Sequence, residues 1–326
     1  MKRVLIPILR KMNIEPVLLD IGASGCTPGQ WATLAPFSTY VGFDPDSRVL
    51  YEPTNSGFKR ALIFNRAVTE RAGADVVEFN LAKNPPCSSV LPLATDVSNY
   101  LFADLFEVER RVTVPAVTLD QALRQQGLPR IDWLKLDTQG TDWRLYRSLP
   151  DSIRSAVLAV DIEPGLINAY QGEDLFVMAH AKMLQEGFWL SSLDVKGSVR
   201  MRRSTMKNLQ RKPNSLLEID LYRGIRASPG WCEARYLRSL EHLSGHDAAE
   251  RDYALLWCIA MMENQFGFAL DIADEFESRF GTGPISAILR DAPLGRVRRS
   301  RFTLANLAKR WLPGRLKAVV KRIARR

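Results

Sequence analysis

With 326 residues, 46% of them apolar, the chain has enough hydrophobic material for one large domain or two, which excludes a disulfide-built mini-protein and a disordered polypeptide. Its formal charge is +9, yet thirteen Lys or Arg and a single acid fall between Arg290 and Arg326, so the basicity belongs to the tail and the rest is mildly acidic. Four scattered cysteines (Cys26, Cys87, Cys232, Cys258) lack metal-ligand spacing and suit free thiols in a reducing cytoplasm.

Residues 1–14 read as a short N-terminal helix or arm: the apolar stretch 5–9 is interrupted by Pro7 and too short for a signal segment or a span. Short apolar runs then alternate with helix-length segments, predicting strands at 17–20, 40–44, 61–67, 131–137, 156–163, 188–194 and 216–222. That rhythm belongs to an α/β fold, a Rossmann-like doubly wound sheet over residues 15–224. Between 75 and 119 the rhythm breaks into a hairpin strand at 76–79 and a turn-rich loop at 84–89, an insertion placed to set substrate specificity.

Beyond Gly224 the composition turns helical, with apolar residues at three- and four-residue spacing over 231–243, 247–263 and 266–280, so residues 225–289 are expected to form a helical extension. Asp247 is the predicted N-cap of its second helix, with Glu250 completing a capping-box pattern. In the tail, residues 290–326, Leu316, Val319, Val320 and Ile323 share one helical face while Arg315, Lys317, Lys321, Arg322, Arg325 and Arg326 fill the remaining arc. Such a helix suits an anionic membrane surface, which would make the protein cytoplasmic and peripheral at the inner face. A partner-docking helix, a solvated tail and, less favoured, a nucleic-acid patch are the competing readings. A second basic cluster, Arg200, Arg202, Arg203, Lys207, Arg211 and Lys212, reads either as a phosphate site or as a solvated loop.

Ligands of open α/β sheets bind beyond the carboxyl ends of the strands. Two predicted strands end there in a carboxylate and a glycine turn: Asp20-Ile21-Gly22-Ala23-Ser24-Gly25 and Asp137-Thr138-Gln139-Gly140. Asp44, 24 residues after Asp20, suits a carboxylate that accepts hydrogen bonds from ribose hydroxyls. A dinucleotide fingerprint would need glycines where Ser24 and Thr27 stand, so NAD is a poor fit. Asp20 would repel a pyrophosphate but meets the cationic aminoacyl side of S-adenosylmethionine. The predicted cofactor-binding set is Asp20, Gly22, Ala23, Ser24, Gly25, Asp44, Pro45, Ala67 and Asp137.

These segments, together with Gly42-Phe43-Asp44-Pro45-Asp46, Val117-Thr118-Leu119-Asp120, Leu134-Lys135-Leu136-Asp137-Thr138-Gln139-Gly140 and Gly187-Phe188-Trp189-Leu190 in that order, resemble the FkbM family of S-adenosylmethionine-dependent methyltransferases over residues 15–195. The resemblance implies the class I methyltransferase sheet and methylation of hydroxyls on sugars and secondary metabolites. It departs at Cys26, where the family carries a glycine, and at Gln139, where it carries an acid. Ser88 and Ser89 resemble a serine pair of the family that would hold substrate hydroxyls or the cofactor's carboxylate; loop serines also form turns.

Methyl transfer to a hydroxyl needs alignment and management of one proton. Asp137 is the first candidate for base or orienter, with helix capping as its alternative. Lys135 lies on the same strand face, either tuning Asp137 or snorkelling to solvent. Glu163, at the end of the next strand, offers a second carboxylate across the pocket or a plain turn acid. The three histidines (His180, His242, His246) fall in predicted helices away from strand ends, so no metal site is expected. Asn84-Pro85-Pro86-Cys87 is similar to an amino-methyltransferase motif, but Cys87 cannot stack on a planar group and the segment precedes the fourth strand. The expected activity is O-methylation of a sugar, glycan or glycolipid precursor; RNA methylation, or binding of cofactor or glycan without turnover, are the alternatives.

Overall fold

The computed structural model describes residues 2–49, 57–210 and 224–301. The chain divides into two compact units, Asn13–Ala248 and a second made of the N-terminal residues with those from Ala249 onward.

In the first unit the strands are β1 (Val17–Ile21), β2 (Thr39–Phe43), β3 (Arg60–Phe64), β4 (Ala67–Val68), β5 (Val76–Ala82), β6 (Val108–Val117), β7 (Trp133–Leu136), β8 (Ala159–Ile162), β9 (Phe188–Ser198) and β10 (Ser228–Arg238). Seven of them form the main sheet in the order β3-β2-β1-β7-β8-β10-β9. The first five of that order run parallel, and β10 enters antiparallel between β8 and β9. β1 and β8 are buried along their whole length, which is why they read as apolar runs interrupted only by Asp20 and Asp161: both faces of a parallel sheet are covered. The chain winds outward from β1 on one side and from β7 on the other, so these neighbours mark the topological switch point where ligands bind. Their register sets Asp20 beside Lys135, and Lys135 beside Asp161.

The main core joins sheet side chains, including Leu19, Phe43, Leu134, Val160 and Tyr236, to side chains of the covering helices such as Leu123, Tyr146 and Met183. The insertion forms a separate small sheet, β4-β6-β5, with its own core of Ala67, Phe79, Leu81, Val114 and Ala116. Its hairpin strand runs further than 76–79, and its long partner β6 was hidden in the sequence by Glu109, Arg110, Arg111 and Pro115.

The helical reading of 231–243 is corrected. Residues 228–238 are a strand, with Cys232, Ala234 and Tyr236 buried and Trp231 and Glu233 exposed, a period of two that the three- and four-residue spacing masked. Only Leu240–Gly245 is helical, capped by the Ser239 hydroxyl accepting from the His242 amide. The sheet therefore continues past residue 224. The expected strand at 216–222, Arg211, Lys212 and the cationic helix from Arg315 to Arg326 lie outside the described residues.

The second unit joins helix Lys2–Lys11 to Glu250–Met262, Phe266–Phe280 and Pro284–Arg301. Leu5, Ile8 and Leu9 are buried, as is every residue from Tyr253 to Met261. The Trp257 indole donates to the Leu289 carbonyl at 2.9 Å, which satisfies the polar atom that burial would otherwise strand. Asp247 is not the N-cap: its φ is +49°, the helix begins at Glu250, and Asp252 accepts from the Ala249 amide at 3.2 Å instead. Among the described residues no helix is long and apolar enough to cross a membrane.

Candidate active site

The turn after β1 has to pass close to the end of β7. At Gly22, φ is +89° and a Cβ would stand 2.1 Å from the Asp137 carbonyl, so only glycine fits. The amides of Gly22 and Ala23 both donate to the Phe43 carbonyl at 2.8 and 3.0 Å, locking the turn to the end of β2. An open cleft of about 640 Å³ lies beyond these strand ends. Its walls combine apolar Ile21, Phe43, Val68 and Phe79 with Ser24, Asp44, Asp46, Arg66 and Asp137.

Burial pushes Asp44 up to about 6, opposed by the Asp46 amide, which donates to its Oδ1 at 2.7 Å. Asp46 is buried too, but the Arg48 guanidinium holds it below the ordinary carboxylate range. Arg48 also donates to the Ala82 carbonyl and the Ser88 hydroxyl, tying the loop after β2 to the small sheet.

Beneath the cleft, Lys135 joins three strand ends. Its ammonium lies 3.7 Å from Asp20, 3.4 Å from Asp137 and 3.8 Å from Glu163. Burial alone would lower its pKa, but the surrounding carboxylates, Asp137 first, raise it above the ordinary value and keep it charged. Burial pushes Asp20 up to about 6 against the pull of Lys135 and of the Tyr40 hydroxyl, which donates at 3.0 Å. Burial and the neighbouring Asp137 push Glu163 up to about 8.

The turn after β7 is held from both ends. Gln139 sits at φ +55°, a left-handed conformation that costs a non-glycine residue on the order of 1 kcal/mol. Its side-chain amide donates to Asp137 Oδ1 at 2.8 Å and its backbone carbonyl accepts from the Ser89 hydroxyl at 2.8 Å. Asp137 does not cap the following helix, which begins at Asp142. Buried Asp142, raised to about 6 by desolvation, instead accepts from the Thr138 and Glu163 amides at 3.0 and 2.8 Å, clamping the ends of β7 and β8 together.

A second cavity of about 1100 Å³, open to solvent, shares Pro86, Asp137 and Gln139 with the first. Phe102, Phe106, Tyr170 and Trp231 line it with Glu163, Glu173 and Glu233, and among the described residues no Lys or Arg does. Asn84, Pro86 and Cys87 stand on its wall, and burial raises the Cys87 thiol.

Of the residues expected to face a cofactor, Gly22, Ser24, Asp44, Pro45, Ala67 and Asp137 line the first cleft. Asp20, Ala23 and Gly25 do not: Asp20 is turned to Lys135 and Tyr40, Ala23 is buried, and the Gly25 amide donates to the Val49 carbonyl. Ser88 borders the cleft while accepting from the Ala82 amide, and Ser89 is buried, used by Gln139 and Leu91. Lys135 is not a snorkelling surface lysine. Sequence reasoning missed Gln139 as a contact of Asp137, and also Asp142, Tyr170, Trp231 and Arg66. Among the described residues no cluster of His, Cys, Asp or Glu could hold a metal ion.

Two cavities that meet at one carboxylate beyond the switch point of a doubly wound sheet fit a group-transfer enzyme. Residues 32–189 match the family described as the methyltransferase FkbM domain. This segment is similar to an FkbM methyltransferase domain. The matched segment runs from the loop after β1 to the start of β9, so it holds Asp44, Asp137, Gln139 and Glu163, while the Gly22 turn and β10 lie outside it. A comparison with curated proteins finds no match.

Proposed function

We propose that this methyltransferase uses S-adenosylmethionine and methylates a hydroxyl of a sugar, glycan or glycolipid precursor. The observation that carries this reading is the sharing of Asp137 between the apolar, acidic first cleft and the aromatic, acidic second cavity. The residues of the first cleft fit that cofactor. Its apolar walls suit a purine, Asp44 is placed to accept from ribose hydroxyls, and three carboxylates face one guanidinium, which favours a cationic ligand over a pyrophosphate. When bound, the cofactor supplies an electrophilic methyl group on a sulfonium.

In the second cavity, aromatic faces cover the C–H faces of a sugar while carboxylates accept from its hydroxyls. The lack of a basic residue in its described lining speaks against a phosphate-rich acceptor such as RNA. Asp137 orients the acceptor hydroxyl, and Glu163, held at about 8, receives its proton near the working pH. The test is incubation with methyl-labelled S-adenosylmethionine and a panel of neutral glycosides, phosphorylated sugars and RNA. Label on a glycoside hydroxyl is the expected result; label on RNA or on nitrogen would contradict the reading.

A further inference from the structure

Gln139 lines the second cavity and touches Asp137 from that side. Its conformation is left-handed at φ +55°, a region that side-chain-bearing residues occupy only when their surroundings force it. Here the forcing groups are identifiable. The Ser89 hydroxyl donates to its carbonyl at 2.8 Å, and the next residue is Gly140, where a Cβ would meet Leu91 and Glu173 at 3.1 and 3.2 Å. The Tyr170 hydroxyl, shared with the Cys87 carbonyl at 2.9 Å, donates to Gln139 Oε1 at 3.0 Å. The Asp137 carboxylate only accepts, so it is this partner that orients the amide: Nε2 donates to Asp137 Oδ1 at 2.8 Å, and Oε1 is left to the Tyr170 hydroxyl. The opposite oxygen, Oδ2, faces Lys135 at 3.4 Å.

We infer that Gln139 is a positioning residue that aims Asp137 and sets the charge where the two cavities meet: one carboxylate braced by a neutral amide, in place of a carboxylate pair. This rests on the cofactor reading above. A second carboxyl in place of the amide would lie within hydrogen-bond reach of Asp137, and two such groups share one proton before both ionise. With the shared proton present, the substituted carboxyl imitates the amide as donor. With it lost, the junction carries one more negative charge, which discriminates a sulfonium from the neutral product.

The experiment is calorimetric titration of the full chain with S-adenosylmethionine and S-adenosylhomocysteine from pH 6 to 9, comparing wild type, Gln139→Glu, Tyr170→Phe and the exchanged pair Gln139→Glu/Asp137→Asn. The readout is the ratio of the two affinities. In Gln139→Glu the ratio is expected to match wild type at low pH and to move about tenfold toward the sulfonium as pH rises, the scale of attraction that one added negative charge exerts on a nearby cation at a partly solvated site. The exchanged pair, with amide and carboxylate in swapped places, should bring it back. Tyr170→Phe removes the hydroxyl that meets Gln139 Oε1 but adds no charge, so it should move both affinities together and leave their ratio at the wild-type value at every pH. A ratio that stays at the wild-type value in Gln139→Glu at every pH, or one that the exchanged pair fails to restore, overturns the inference. Wild-type protein that binds neither ligand overturns the cofactor reading and this inference with it.

Discussion

The two cavities meet at Pro86, Asp137 and Gln139, yet they are made of different materials. The first cleft takes its shape from backbone: a positive-φ glycine at Gly22, two amides anchored on the Phe43 carbonyl, and a strand register that brings β1, β2 and β7 to one edge. The second cavity takes its shape from side chains delivered by the insertion (Cys87, Phe106), by the loops after β7 and β8 (Gln139, Tyr170) and by β10 (Trp231). Backbone geometry tolerates few residues at a few positions, so the first cleft leaves short motifs in the sequence. Side-chain walls can be rebuilt one residue at a time, so under the proposed function the second is where acceptor choice is set.

The largest expected effect breaks the comparison at its shared residue. Asp137→Ala should lower methyl transfer by about 10²-fold or more, the scale of losing the group that aligns the acceptor hydroxyl, while S-adenosylhomocysteine affinity changes only a few-fold. Turnover and calorimetry on one preparation would separate the two. Next comes the backbone-built side. Gly22→Ala drives a Cβ to within 2.1 Å of a carbonyl at a left-handed φ, which should cost about 2–4 kcal/mol in thermal or urea melts and abolish cofactor binding.

Glu163→Gln sharpens the acceptor side. Because Glu163 is held at about 8 and must be deprotonated to take a proton, kcat should rise with pH through that value in the wild type and be flat and about tenfold or more lower in the variant. A wild-type profile without a rise near pH 8 would remove Glu163 from the proton path. The smallest effect belongs to the cavity wall: Trp231→Ala, at a side chain 38% exposed, should raise the acceptor KM by about tenfold and leave cofactor affinity unchanged.

The same contrast explains what could be read from the sequence. Gly22, Asp44, Asp137 and Glu163 were legible because each ends an apolar run or opens a turn, and such positions carry local signals. β10 was not, because its partners β8 and β9 lie well upstream in the chain and its alternation can be counted as helical. Tyr170 and Trp231 reach the acceptor cavity only through long-range packing, with no spacing to announce them. Asp20 was legible as a strand-end acid but its direction was not, since which way a strand-end side chain turns depends on its neighbours, here Lys135 and Tyr40. Gln139 looked like a loss when set beside the family's acid, and its hydrogen bonds give it a use.

The most direct test of the account is calorimetric titration of the purified chain with S-adenosylhomocysteine, with NAD as control and Asp44→Ala as comparison. The account predicts binding of the homocysteine product, no binding of NAD, and a loss of about tenfold or more in Asp44→Ala, the cost of removing a charged hydrogen-bond acceptor. Preference for NAD, or no binding of either ligand, would contradict it.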